Sequence, residues 1–248
     1  MEECISVFDM LKIGVGPSSS HTLGPWRAAE RFLGELRNEN LIPAVNRVQI
    51  DLYGSLSLTG KGHATDLAVM LGLSGQDPEY IPVQNIDVVI KSIKSKNEIN
   101  LGNEKPIPFY FFQDIVFNKN FLPFHANGMT FTAHMTDDIT YVSTFYSIGG
   151  GFVVKEERIN AKKKIKIKCA FPYPIEKAAE LLTYCIKETK SISKIVYENE
   201  KSMRSEAVID HELMRIWRTM LECMYIGCHS EGILPGGLNV RRRAFDMH

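Results

Sequence analysis

The strongest constraint on the fold is a change of secondary-structure pattern at Pro172 and Pro174. Before these prolines, alternating apolar and polar segments are interspersed with helix-like segments, which is typical of a mixed α/β domain. After them, residues such as 205–227 carry apolar side chains at helical spacing, and strand patterns stop. The sequence therefore predicts an α+β fold, with a mixed α/β domain over residues 1–171 and the first helices of an all-α domain over residues 172–248.

The elements of the first domain follow from local periodicity. A helix of about 15 residues is predicted toward Asn40, and a hairpin is predicted around Thr136-Asp137-Asp138. The lysine-rich residues 162–168 alternate with isoleucine, which indicates an edge strand with a solvated face. Strands are predicted at residues 46–52, 86–93, 107–112, 129–134 and 139–147, and directly after Gly149-Gly150-Gly151.

Residues 14–25, Gly-Val-Gly-Pro-Ser-Ser-Ser-His-Thr-Leu-Gly-Pro, precede a helix-like segment and combine hydroxyl groups with His21. A helix that begins behind them offers free backbone N–H groups and the positive end of a dipole, so the segment suits a carboxylate or a phosphate. An ordinary helix cap is the alternative, and it accounts for one or two of the hydroxyls. The hydroxyls that could bind a ligand are those of Ser18, Ser19, Ser20 and Thr22.

A second polar cluster, Gly60-Lys61-Gly62-His63, leads into another helix-like segment. Gly60 and Gly62 let the backbone approach a ligand, and the dipole of the following helix favours a neutral His63, which can act as a base. Asp66 can reach back to cap that helix. From the spacing alone, a capping or buried histidine is the favoured interpretation of His63.

Three further polar residues could contact a small amino acid. His125 and Asn127 are two positions apart, so an extended segment would point both to one side, although Asn127-Gly128 is equally typical of a simple turn. Arg204 could bind a carboxylate with two hydrogen bonds, or it could form a surface ion pair with Glu206.

Two other chemistries are disfavoured. A serine hydrolase would need Ser20 and His21 to face each other, but adjacent side chains are expected on different faces, and a Gly-x-Ser-x-Gly motif is missing. A pyridoxal phosphate site at Gly149-Gly150-Gly151 lacks a candidate Schiff-base lysine, and the glycines enter a strand rather than a helix.

The composition limits the partners. Lys+Arg and Asp+Glu both number 29, so charge favours neither nucleic acid nor an anionic membrane. No apolar stretch is long enough for a membrane helix, and Met1-Glu2-Glu3 is unlike a secretory signal, so we predict a cytoplasmic protein. The 5 cysteines are scattered and are predicted to be buried small apolar residues rather than metal ligands.

Several blocks of the sequence together resemble one family, the iron–sulfur-dependent L-serine dehydratases. The resemblance extends over essentially the whole chain, and its blocks occur in the family's order. The blocks are residues 4–25, 54–78, 125–131, 146–153, 199–206 and 232–243.

The resemblance implies β-elimination of water from L-serine, giving pyruvate and ammonia, with a 4Fe-4S cluster as Lewis acid. It implies that His63 is the base or a proton shuttle and that Ser20 and His21 belong to the catalytic residues, with His21 orienting the substrate. The residues that it implies for substrate binding are Ser18, Ser19, Thr22, Lys61, Gly62, Asp66, His125, Asn127 and Arg204.

The chain departs from the family pattern at the cluster. In the family, the cluster cysteines lie in the second half of the helical domain, and none of the cysteines here matches one. The sequence therefore predicts a fragment or truncated product, inactive alone, whose partners are L-serine, the remainder of the catalytic domain and further copies in a homo-oligomer. The alternative is a non-catalytic module that binds serine or another anion as an effector, because the first domain also resembles the allosteric substrate-binding domain of some phosphoglycerate dehydrogenases.

Overall fold

The computed structural model describes residues 5–16, 18–136, 139–156, 171–234 and 239–248. The predicted lysine-rich strand at 162–168 lies outside these residues, and the predicted domain boundary between residues 171 and 172 stays a prediction. Contacts between Cα atoms divide the chain into two compact units. The larger unit comprises Gly14–Lys162 and Gly232–Arg242, and the smaller unit comprises Met1–Ile13, Lys163–Glu231 and Arg243–His248.

The larger unit contains strands and helices, and the smaller unit contains helices over its described residues. The first helix of the chain, α1 (Val7–Met10), belongs to the smaller unit. The larger unit follows with α2 (Gly24–Asn38), β1 (Val45–Leu52), α3 (Gly54–Leu58), α4 (Thr65–Leu73), α5 (Val83–Lys96), β2 (Glu98–Leu101), β3 (Lys105–Pro108), α6 (Phe111–Asp114), β4 (Ile115–Phe117), β5 (Gly128–Met135), β6 (Thr140–Gly149) and β7 (Phe152–Lys155). The smaller unit continues with α7 (Ala178–Glu188), α8 (Ile192–Lys201), α9 (Glu206–Cys228) and α10 (Ala244–Met247).

A five-stranded sheet in the order β4-β1-β5-β6-β7 forms the centre of the larger unit. Strand β1 pairs in parallel with β4 and antiparallel with β5, and β5 and β6 form a hairpin. Every second residue near the end of β1 is fully buried (Val48, Ile50 and Leu52). This alternation places one face of the sheet against the helices, as expected for a half-buried strand.

Helix α2 packs on this face of the sheet through large apolar side chains. Phe32 is fully buried, and its ring stacks on Phe131 of β5 with 5.2 Å between centroids. Helix α4 packs closely against α2, because Gly72 lacks a Cβ that would approach the Ala29 Cβ to 2.6 Å. The two helices that follow the predicted polar loops are thus fixed to each other and to the core.

The α+β prediction is confirmed, as are the strands near 46–52, 129–134 and 139–147, the strand after Gly149-Gly150-Gly151, and the long helix after the serine-rich segment. The strand predicted at 86–93 is wrong, because these residues lie in α5. Its inward side chains include Ile90 and Ile93, while Val88 is exposed, so the apolar run has a helical rather than a two-residue period. The strand predicted at 107–112 ends at Pro108, and α6 begins at Phe111.

In the smaller unit, a buried carboxylate joins α8 to the segment that begins α1. Glu200 accepts hydrogen bonds from Ser6 Oγ (2.9 Å), from the Val7 backbone N–H (2.7 Å) and from Arg204. Helix α9, by contrast, has Ile209 as its one buried residue, and the structure describes α9 in full. Among the described residues, no helix combines the length and apolarity that crossing a membrane requires.

Candidate active site

The serine-rich segment forms a single π-helical turn, Ser19–Leu23, that continues directly into α2. Ser18 precedes the turn, and its Oγ accepts a hydrogen bond from the His21 N–H (3.4 Å). The Gly24 N–H donates to the Ser19 carbonyl, and the Thr22 N–H donates to the Ser18 carbonyl. The amides at the beginning of α2 are therefore not free for an anion, in contrast to the prediction, because the helix effectively begins one turn earlier.

His21 is held through both ring nitrogens. Its Nδ1 lies 2.9 Å from Ser20 Oγ, and its Nε2 lies 2.8 Å from Ser55 Oγ. Ser20 Oγ in turn lies 3.3 Å from Ser18 Oγ. The expectation that Ser20 and His21 point to different faces is wrong, because the segment is helical rather than extended, and adjacent side chains on a helix are not opposite each other.

Two threonines join this turn to the loop that carries His63. Thr22 Oγ1 donates to the His63 carbonyl (2.8 Å), and Thr65 Oγ1 donates to the His21 carbonyl (2.6 Å). Both threonines are buried, where an unmade hydrogen bond is costly. These reciprocal bonds bring the rings of His21 and His63 to 4.9 Å between centroids. We call this pair of bonds the threonine clasp.

The tautomer of neutral His63 follows from its hydrogen bond. Its Nδ1 lies 3.0 Å from the Thr59 carbonyl oxygen, which can only accept. The proton of the neutral ring is therefore on Nδ1, and Nε2 carries the lone pair. In the neutral ring, Nε2 is therefore the nitrogen that is able to accept a proton.

The other predicted residues of this loop have different environments. Asp66 is buried on α4, and this burial raises the pKa of its carboxyl above its ordinary value, partly offset by a hydrogen bond from the Leu67 N–H and by the charges of Lys94 and Lys61. The Lys61 ammonium lies 4.9 Å from the centre of the Phe117 ring. The Gly62 N–H donates to the Thr59 carbonyl (3.1 Å), which fixes the turn before His63.

Asn127 links two strands. Its side-chain N–H donates to the Ser147 backbone carbonyl (3.2 Å), and its backbone carbonyl accepts from the Ser147 N–H (3.0 Å). The Asn127 N–H donates to His125 Nδ1 (3.1 Å), so the pair is bonded internally and Asn127 is buried. These contacts favour a structural role at the end of the β5–β6 hairpin. The segment still reaches the site, because the Ala126 carbonyl accepts from the Ser55 N–H (2.9 Å).

Arg204 lies in the smaller unit, and its guanidinium donates to Ser6 Oγ (2.9 Å) and to Glu200. The ion-pair partner suggested by the sequence was Glu206, which instead pairs with Lys201. The helical spacing of four residues between Glu200 and Arg204 is the signal that identifies the true partner.

The cysteines that the structure describes do not form a metal site. Cys185 and Cys228 are half-buried, while Cys223 is exposed, so the prediction of burial is wrong for Cys223. Within the described ranges, no three His, Cys, Asp or Glu side chains gather as a metal site would require.

Sequence reasoning missed Ser55 and Thr65. Both lie in the block at residues 54–78 that carries the resemblance, but their partner, His21, is more than 30 residues away in sequence. No local pattern predicts such a contact, although the position of Thr65 directly before Asp66 in the same polar cluster was a signal.

We predict that His21 titrates below its ordinary pKa. Burial is the main cause, the neighbouring His63 lowers the pKa further, and an interaction with the Ser55 backbone partly opposes both. NMR titration of the imidazole signals measures this, and His63→Ala should raise the pKa of His21 toward the ordinary value. An unchanged His21 pKa in this variant would contradict the electrostatic contact.

Comparison with known proteins identifies a family whose members this chain resembles. A family model described as "Serine dehydratase beta chain" matches residues 6–158. L-serine dehydratase of Streptomyces coelicolor is 45% identical over 242 residues, which are 97% of this chain and 53% of the relative. L-serine dehydratase 1 of Escherichia coli is 41% identical over 241 residues (97% and 53%), and L-serine dehydratase of Haemophilus influenzae is 40% identical over 248 residues (98% and 54%).

This chain thus spans about half the length of the curated relatives that it matches. The family model covers more than half of the chain and includes both loops that the threonine clasp joins. The family membership predicted from the sequence blocks is confirmed, and the chain belongs to the serine dehydratase family.

Proposed function

We propose that this chain forms the serine-binding part of an L-serine dehydratase, which converts L-serine to pyruvate and ammonia. The observation that supports the proposal is the threonine clasp, which joins the serine-rich turn to the loop of His63, with 4.9 Å between the ring centroids of His21 and His63. Hydroxyl groups suit the carboxylate and ammonium groups of a free amino acid, and an imidazole suits removal of its α-proton.

In the proposed reaction, the hydroxyls of Ser18 and Ser20 hold the substrate while His63 Nε2 takes the proton from Cα. The electron pair of the broken C–H bond forms the Cα=Cβ bond, and the β-hydroxyl leaves with the electrons of the Cβ–O bond as hydroxide, which takes up a proton from the His63 imidazolium and departs as water. The aminoacrylate that remains tautomerises and is hydrolysed to pyruvate and ammonia. His63 becomes a cation in this step, and the lowered pKa of His21 favours the neutral form of the neighbouring ring, which limits repulsion between two positive charges.

The proposed cofactor is a 4Fe-4S cluster held by ligands outside this chain. The described residues do not fit a cluster, because their cysteines lie apart and no three potential ligands gather among them. The proposed role of the chain is therefore limited to binding the substrate and moving its proton.

We also propose that the remainder of a helical catalytic domain covers α9. Large apolar side chains along this helix are about half exposed, including Trp217 (48%) and Tyr225 (65%). A row of such residues is unfavourable in water and is typical of a helix that packs against a partner. A partner of this kind is consistent with relatives that are about twice as long.

Binding of L-serine to this chain tests the first step. At a concentration about ten times the dissociation constant, L-serine should stabilise the larger unit by about 1.4 kcal/mol, measured by thermal unfolding. D-serine and L-alanine are the controls, because each lacks one feature that the site would recognise. If L-serine stabilises the chain no more than these controls, the proposal is wrong.

Anaerobic reconstitution with iron and sulfide tests the cofactor. We expect no cluster absorbance and no pyruvate from this chain alone, and both from an assembled enzyme that contains it. Cluster formation in this chain alone would contradict ligands outside it. Serine binding without turnover in the assembled enzyme would favour the effector-binding module instead.

A further inference from the structure

Ser55 is the residue at which the three predicted polar segments meet. Its hydroxyl bonds to Nε2 of His21 (2.8 Å), and its N–H donates to the Ala126 carbonyl (2.9 Å). Its own carbonyl accepts from the N–H and Oγ1 of Thr59 (3.0 and 2.9 Å). Since the Thr59 carbonyl accepts from His63 Nδ1, Ser55 is linked to both histidines.

The backbone holds Ser55 in place independently of its side chain. The preceding residue, Gly54, has φ +53° and donates its N–H to the Asn120 carbonyl. A Cβ at Gly54 would lie 2.4 Å from the Ala126 carbonyl oxygen, so only glycine allows this approach. Removal of the Ser55 hydroxyl therefore leaves the backbone bonds of this turn intact.

The Ser55 hydroxyl constrains the orientation of the His21 ring and the hydrogen-bonding roles of its two nitrogens. An imidazole bonded at both nitrogens cannot flip without placing a C–H group against each hydroxyl, so the ring keeps one orientation. A neutral ring has one donor and one acceptor nitrogen, so the direction of the Ser55 O–H sets the role of Nε2 and, with it, the opposite role of Nδ1. Nδ1 is the atom that faces Ser20.

We propose that Ser55 is a positioning residue of the serine site: it fixes the orientation and the tautomer of His21, and thereby the direction of the Ser20 hydroxyl. This inference rests on the proposed function for its effect on serine, but its effect on the His21 ring can be measured separately. Ser55 acts through His21 and is not itself required to touch the substrate.

The ring of His21 is the first readout. In the full chain labelled with ¹⁵N, two-bond couplings between ring nitrogens and ring protons show which nitrogen carries the proton. We expect one tautomer in the unmodified chain, a shift of both His21 nitrogen signals toward a mixture in Ser55→Ala, and recovery in Ser55→Thr, which restores a hydroxyl. Ser57→Ala is the matched control, because Ser57 is on the same short helix and makes none of these bonds.

The affinity for L-serine is the second readout. We expect the dissociation constant to rise about three- to tenfold in Ser55→Ala, in line with the loss of one hydrogen bond, and to stay unchanged in Ser57→Ala. Unchanged His21 signals in Ser55→Ala overturn the proposal, and so does altered ring chemistry with unaltered serine affinity. If the unmodified chain does not bind L-serine, the proposed function fails, while the ring signals still decide whether Ser55 fixes the tautomer. Should Ser55→Ala fail to fold, Ser55→Cys, which fills the same space with a weaker hydrogen-bonding group, gives the same comparison.

Discussion

Replacement of His63 by alanine is expected to lower pyruvate formation by an assembled enzyme about 10²- to 10⁴-fold, the usual contribution of a general base. The reason is geometric: Nδ1 of His63 is occupied by the Thr59 carbonyl, and Nε2 is the atom left to accept a proton. The rate is measured as pyruvate release at saturating L-serine. The absorbance of the cluster serves as the control for assembly, and it should not change.

A second variant distinguishes the contribution of Nδ1 of His63 from that of Nε2. Asparagine at this position, His63→Asn, keeps an N–H donor near Nδ1 that can still bond the Thr59 carbonyl, but it offers no equivalent of Nε2. We expect the loss of rate to be as large as in His63→Ala. Near-normal turnover in either variant would show that His63 is not the base that accepts the proton.

The largest expected effect on folding is that of Gly60→Ala. A Cβ at this position would lie 1.9 Å from the Leu56 carbonyl oxygen, which belongs to the backbone and cannot rotate away. The turn that carries Lys61, Gly62 and His63 must then shift, and we expect the free energy of unfolding to fall by about 3 kcal/mol. Denaturant unfolding monitored by circular dichroism measures this change.

Gly34→Ala is the matched comparison. Gly34 lies within α2, and a Cβ there would meet nothing within 4 Å. Because alanine is the better helix former, this variant is expected to gain about 0.5–1 kcal/mol. If the two glycine variants have similar stabilities, the close approach at Gly60 does not constrain the turn.

Local periodicity was enough to predict the elements that have one buried face. The alternation of Val48, Ile50 and Leu52 identified β1, and the hairpin of β5 and β6 followed from the turn between them. The same reasoning fails at α5, because Ile86, Ile90 and Ile93 fit a helical period as well as an apolar strand. Apolar runs of this length leave the choice between helix and strand to tertiary packing.

For the site, the sequence indicated which residues are polar and close to turns, but not which of them face each other. The contact between Ser20 and His21 depends on a helical turn that the glycine and proline content does not predict. Asn127, predicted to bind substrate, donates a hydrogen bond to the Ser147 carbonyl across the hairpin, and a local pattern does not reveal this contact. Contacts between distant segments, such as Thr65 with the His21 carbonyl, become visible only in the folded chain.

The threonine clasp makes the two segments that carry His21 and His63 one structural unit. Each segment supplies one backbone carbonyl that accepts a hydrogen bond and one threonine hydroxyl that donates one. The native conformation of each segment therefore depends on the other. If one segment alone changed its conformation, the buried threonine hydroxyl of the other segment would lose the backbone carbonyl that accepts its hydrogen bond. The two segments are therefore coupled through two threonine hydroxyls and two backbone carbonyls, although more than 40 residues separate the bonded partners in sequence.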